Sequence, residues 1–240
     1  MRLPSTSHLW GELKAARSSQ ILALVWLSAT ALVEAVPTDV KWEIYRVLGL
    51  SRDGLFGGGV WRPVTHALLH GGWIHTALNG VAMLLVGMRL ERIGGADLFW
   101  RVMAAGVLAG GVVHVLLDPG RTLVGGSGGV LAGLLYLTAI SPDSRMWPLP
   151  VSGKNLGRGF LLASVLLAIA DPRLGWSPLA AFGTTLESWI PGIFDVSHAC
   201  HAGGAIAGLL LASWALRPRV TLKQLRRARE KRERRQGSGE

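Results

Sequence analysis

Apolar residues in this 240-residue chain are gathered into runs of about 16–20, enough in helical form to cross the hydrocarbon of a bilayer. Inside lipid a helix satisfies its own backbone groups, which a lone strand cannot do. Six such runs are read from the sequence: Ile21–Val36, Ile74–Leu90, Leu98–Leu117, Leu123–Ile140, Phe160–Ala170 and Ala199–Leu216. The fifth is short, with a start that reaches back to Leu156 as the alternative. The connection from Pro37 to Gly59 is polar, with Trp42, Tyr45 and Trp61 expected at the membrane interface. Ser141–Gly159 carries three prolines and reads as a loop, and Asp171–Val196 reads as a long mixed one. The expected fold class is an all-α membrane protein, a six-transmembrane-helix bundle. Residues 1–20 form its cytoplasmic N-terminal segment, 21–216 its membrane domain and 217–240 its basic cytoplasmic tail.

Charge orients the bundle. Lys and Arg number 25 against 15 Asp and Glu, a formal charge of +10. From Arg217 to Glu240 there are ten Lys/Arg and three Glu, so most of the excess is in the tail. A basic run directly after an apolar helix fits a cytoplasmic anchor beside anionic membrane lipid better than a nucleic-acid arm, so no nucleic-acid partner is expected. With both ends inside, 19 of the 25 cations fall on the cytoplasmic side and six on the other, as the positive-inside rule requires. No small-residue cleavage site follows the first run, so it reads as a retained span and not a removed signal peptide. Cys200 is the single cysteine, which rules out an intrachain disulfide. The localisation expected is an integral protein of a bacterial inner (plasma) membrane.

Polar side chains within spans are costly and face a bundle interior or a wet cavity. His75 and Asn79, four residues apart, share a face of the second span. Ser127 lies among Gly125, Gly126, Gly128 and Gly129 at the head of the fourth. His201, Gly204 and Gly208 form a stripe on the sixth, and Gly125, Gly129 and Gly133 form one on the fourth. Two such stripes allow close helix contact, which brings Ser127 within hydrogen-bond reach of His201. Taken singly, each feature has a plain packing explanation: a serine among glycines, a histidine on a carbonyl, an interhelical His–Asn pair. Their occurrence together, all near the outer ends of their helices, is poorly explained that way.

The chemistry this suits is acyl transfer. A serine hydroxyl becomes an effective nucleophile when a neighbouring base takes its proton, the role expected of His201. The tetrahedral intermediate needs oxyanion donors, for which the Ser127 backbone N–H, the Asn79 amide and His75 are candidates. No third acid is evident, so a Ser–His dyad is expected.

These residues resemble the rhomboid family of intramembrane serine proteases. The matching pieces are Trp61-Arg62-Pro63-Val64-Thr65-His66-Ala67-Leu68-Leu69-His70, then His75-x-x-x-Asn79, Glu91-Arg92, Gly125-Gly126-Ser127-Gly128, and His201-Ala-Gly-Gly204-x-x-x-Gly208. They run in family order from Trp61 to Leu216. The resemblance implies a six-helix rhomboid-like bundle with Ser127 as nucleophile, His201 as general base, and His75, Asn79 and the Ser127 amide as oxyanion hole. It implies single-span membrane proteins as substrates, cut near the outer face, and no metal or cofactor. The rhombosortases, which process C-terminal sorting tails, are a narrower placement the resemblance leaves open. Two departures stand out: Leu131 occupies a position where the family often has an aromatic, and His198, one turn before His201, is a rival base.

Other classes fit less well. His66 and His70 with His75 or His198 suggest zinc, yet acidic residues are absent nearby and no His-Glu-x-x-His occurs. A transporter predicts paired ionisable groups at mid-membrane or inverted repeats, and neither is found. The alternative that remains is a catalytically inactive rhomboid-like protein that binds transmembrane helices.

Overall fold

The computed structural model describes residues 16–118, 120–145, 151–174, 178–217, 225–230 and 233. Most of the N-terminal segment and of the basic tail therefore lies outside the described residues. Among those described, the regular structure is helical, with two isolated antiparallel bridges, Leu50 to Leu123 and Arg145 to Ser152. The principal helices are α1 (Arg17–Glu34), α2 (Thr38–Leu48), α3 (Arg52–Phe56), α4 (Arg62–Thr65), α5 (Trp73–Leu117), α6 (Ser127–Ile140), α7 (Gly153–Ala170), α8 (Leu179–Trp189) and α9 (His198–Ala215).

All six apolar runs are helical over most of their length. By length and composition alone, α5 and α7 are the helices able to cross a membrane. The 45 residues of α5 are two limbs, because Gly94 and Gly95 leave helical geometry and Gly95 has φ +69°. That left-handed conformation suits glycine and ends the first limb at Gly94–Gly95, about a turn beyond Leu90, where the sequence reading ends the second run. The adjoining Glu91 does structural work at the same level. Its carboxylate accepts the N–H groups of Ser18 and Ser19 at 3.1 and 2.8 Å and the Ser19 hydroxyl at 2.5 Å. An anion there satisfies donors that the first turn of α1 leaves orphaned and complements its dipole.

Helices α5, α6 and α9 pack most closely on one another, with α1 against α5 and α7 against α6 and α9. The largest core cluster joins Trp26 of α1, Met83, Leu90 and Phe99 of α5, Tyr136 of α6 and Ala212 of α9. The outside is also apolar: Leu32, Ile74, Leu78, Leu116, Leu166 and Leu210 are all exposed. A rim of large aliphatic side chains suits hydrocarbon and not water.

Several boundaries differ from the sequence reading. The fourth helix starts at Ser127, not Leu123, because Leu123 pairs with Leu50 (N···O 2.7 and 3.0 Å) and Gly125, with φ +118°, keeps the chain out of helical geometry until Ser127. The fifth starts at Gly153, ahead of either expected start, since Ser152 caps it by accepting the Asn155 N–H at 3.4 Å. The connection from 37 to 59 holds α2 and α3, and the segment from 171 to 196 holds α8. Helical loops of this kind keep their backbone polar groups paired. Tyr45, expected at the interface, is buried, and its hydroxyl donates to the His70 carbonyl at 2.7 Å; Trp42 and Trp61 are exposed.

Candidate active site

Ser127 owes its position to the stretch before it. The Leu50 bridge holds Leu123, the Gly125 N–H donates to the His66 carbonyl at 2.9 Å, and Gly125 takes φ +118°. The His75 ring lies over Gly125, so a β-carbon there would come within 3.1 Å of it. The six-membered ring of Trp26 covers Gly126. Ser127 is then the first residue of α6, where its N–H has no intrahelical acceptor.

His201 lies in the first turn of α9, which Ser197 caps: Oγ accepts the Cys200 N–H at 3.2 Å, and the Ser197 carbonyl accepts the His201 N–H at 3.1 Å. One turn on, Gly204 and Gly208 press against α6. A β-carbon at either would stand 2.1 Å from a backbone carbonyl oxygen, that of Gly128 or of Ala132. This corrects the expected stripe. The face of α6 that meets α9 is Gly128 and Ala132, whereas Gly129 and Gly133 meet Met103 and Val86 of α5. The two sets are one residue out of phase, about 100° around a helix, so α6 has small-residue contacts on two sides.

That packing sets Ser127 Oγ 2.9 Å from His201 Nε2, a hydrogen bond between side chains of two different helices. The rival base points elsewhere: His198 Nε2–H donates to the Ile193 carbonyl at 2.8 Å. Its ring lies edge-on to that of His201, with centroids 5.8 Å apart at 81°, and Phe194 supports it from behind at 5.9 Å. Leu131, where the family often has an aromatic, packs instead with Leu135 and Ala205. That His198 lies beside His201 follows from their i, i+3 spacing on one helix; that its Nε2 is taken by the Ile193 carbonyl does not, because that partner belongs to the preceding loop.

His75 and Asn79 follow at the start of α5. The Gly71 N–H donates to His75 Nδ1 at 3.3 Å, which in a neutral ring leaves the proton on Nε2, and Nε2 faces Gly125. Asn79 lies one turn on and is buried. A row of rings backs this side, with Trp26 and His70 at 4.8 Å and His70 and His75 at 5.1 Å. The parts present are a hydroxyl bonded to an imidazole, a helix-start N–H beside that hydroxyl, and a ring N–H facing the glycine two residues before it. No apolar run singled out Trp26 or His70 as part of this wall.

Comparison with known proteins agrees with the residues. Residues 57–218 match the family model for the Rhomboid domain. Rhomboid-related protein 3 of Homo sapiens is 44% identical over 158 residues, 66% of this chain and 37% of that protein. The Rhomboid protease GlpG of Serratia proteamaculans is 28% identical over 167 residues, 67% of this chain and 50% of its own. The Rhomboid protease GluP of Bacillus subtilis is 28% identical over 183 residues, 76% of this chain and 31% of its own. The chain thus spans half or less of the length of these relatives. Two of the three are named as proteases, and the first carries a name that states no activity.

Proposed function

The chain belongs to the rhomboid family, and we propose that it is an intramembrane serine endopeptidase that cuts single-span membrane proteins near the outer face of the membrane. Six helices cross the bilayer in this reading: α1, the two limbs of α5, α6, α7 and α9, with both chain ends cytoplasmic. The observation that carries it is the 2.9 Å contact between Ser127 Oγ and His201 Nε2.

Ser127 Oγ attacks the carbonyl carbon of the scissile bond while its proton passes to His201 Nε2. The oxyanion of the tetrahedral adduct takes hydrogen bonds from the Ser127 N–H, the His75 Nε2–H and the Asn79 amide. The Ser127 N–H is set by the helix start and the His75 ring by the Gly71 N–H, so these two donors need little reorganisation as charge develops. His201 returns the proton to the leaving amine, the C–N bond breaks, and an acyl-Ser127 ester remains. Water, deprotonated by the same His201, attacks the ester carbonyl; the bond to Ser127 Oγ breaks, Oγ takes the proton back from His201, and the carboxylate product is freed. The ring nitrogens of His70 and Nε1 of Trp26 are buried and unpartnered among the described residues.

The test is cleavage of single-span reporter proteins co-reconstituted with the purified chain in liposomes. Two fragments that appear with wild type and not with Ser127→Ala support the reading. Equal cleavage by Ser127→Ala would assign the activity to another group. Intact reporters that nevertheless co-purify with the chain would favour the non-cleaving helix binder.

A further inference from the structure

The outer end of α5 lies beside two segments that lead to the two members of the dyad. We propose that His114 is a positioning residue for the reaction: it clamps the cap of the helix carrying His201 to the backbone of the segment carrying Ser127. The inference rests on the serine-peptidase reading above. His114 is 1% exposed, with Nδ1 2.9 Å from Ser197 Oγ and Nε2 3.2 Å from the Arg121 carbonyl oxygen.

The proton arrangement is fixed by elimination. Ser197 Oγ already accepts the Cys200 N–H, so its own hydroxyl proton is free to go to His114 Nδ1. The neutral ring then carries its proton on Nε2, and the Arg121 carbonyl, which can only accept, receives it. One tautomer satisfies all three bonds. Asp118 Oδ2, at 3.8 Å from Nδ1, is beyond hydrogen-bond reach and stands 3.4 Å from the Arg121 guanidinium. A second strut runs parallel to the first, since Arg121 donates to the Asp195 carbonyl at 2.7 Å.

Both ends of the clamp act on catalytic geometry. Ser197 holds the first turn of α9 through the N–H of Cys200 and the N–H of His201 itself. Arg121 opens the short non-helical segment that the Leu50 bridge pins at Leu123 and that leads into Ser127. The glycine contact lower down sets how far α9 stands from α6. The clamp sets the height and rotation of its first turn, which without a cap frays.

The test uses the full chain in detergent micelles, reading the rate at which a fluorophosphonate labels Ser127 alongside thermal unfolding. His114→Leu and Ser197→Ala are each expected to slow labelling by about 10²-fold, the cost of an ångström-scale misplacement. The double variant should be no slower than the slower single one, because both remove the same tie. His114→Asn, whose Oδ1 can take the Ser197 hydroxyl in place of Nδ1, should recover most of the rate. His114→Gln, which reaches towards Arg121 instead, should not. A wild-type rate in His114→Leu, losses that multiply in the double variant, or no recovery by Asn would overturn the clamp. If His114→Leu does not fold, the Asn and Gln variants decide: Asn faster by about tenfold or more, the value of one hydrogen bond, supports it, and equal rates refute it. A wild type that fails to label sinks the peptidase reading itself. A labelled wild type with indifferent His114 variants sinks the clamp alone.

Discussion

Adding one methyl group at Gly204 tests whether the α6–α9 contact sets the catalytic distance. In Gly204→Ala the new β-carbon would stand 2.1 Å from the Gly128 carbonyl oxygen and 2.7–2.8 Å from two further Gly128 backbone atoms. Ordinary contact begins near 3.4 Å, and backbone cannot rotate out of the way as a side chain can. The helices must separate by roughly 1.3 Å at that level, less than a turn below His201, an amount that overfilled packing makes costly. The intrinsic helix preference of Ala over Gly contributes up to about 1 kcal/mol in the other direction. The overpacking cost of about 1–3 kcal/mol exceeds it, so net destabilisation is expected. The larger effect falls on the 2.9 Å Ser127–His201 bond, which the same shift stretches beyond hydrogen-bond range. A displacement of that size lowers turnover by about 10²-fold. The assay is reporter cleavage in liposomes with thermal unfolding in parallel, using Gly159→Ala as control because no atom lies within 4 Å of its added β-carbon. If Gly204→Ala matches Gly159→Ala in both rate and unfolding temperature, close packing does not set the dyad distance.

Three further outcomes are expected. His201→Ala should be as damaging as loss of Ser127, because the pair acts as a unit, whereas His198→Ala, which removes a neighbouring ring, should cost only a few-fold. The opposite ranking in the reporter assay would make His198 the base. Asn79→Ala should slow cleavage by up to about 10²–10³-fold with substrate binding little changed, as for loss of an oxyanion donor; an unchanged rate removes Asn79 from that role. Gly125→Ala forces a side chain into φ +118° and against the His75 ring. It should destabilise the protein by about 1–2 kcal/mol and slow cleavage, and a neutral result in thermal unfolding would show that the turn before Ser127 is not strained.

Much of the bundle could be read from hydrophobic run length, because a helix in lipid must be long and apolar whatever it packs against. The Ser127–His201 contact was accessible for a related reason: small residues four apart mark where helices come close. The phase of that contact was not accessible. Gly125, Gly129 and Gly133 form as good a pattern as Gly128 and Ala132, and only the packing on α5 tells which side of α6 faces α9. Helices α2, α3 and α8 were missed because their sequences are polar or mixed and carry no run. The start of α6 was misplaced because Leu123 and Val124 are as apolar as the helix that follows, while their geometry is decided by a bridge to Leu50, 73 positions earlier. The roles of Ser197 and His114 likewise depend on partners distant in sequence, which residue type alone does not reveal.

The most direct measurement is mass-spectrometric location of the fluorophosphonate adduct on the intact protein, in wild type and in His201→Ala. The account predicts a single adduct on Ser127 in wild type and none in the variant on the same timescale. An adduct on another serine, or equal labelling of Ser127 without His201, would contradict it.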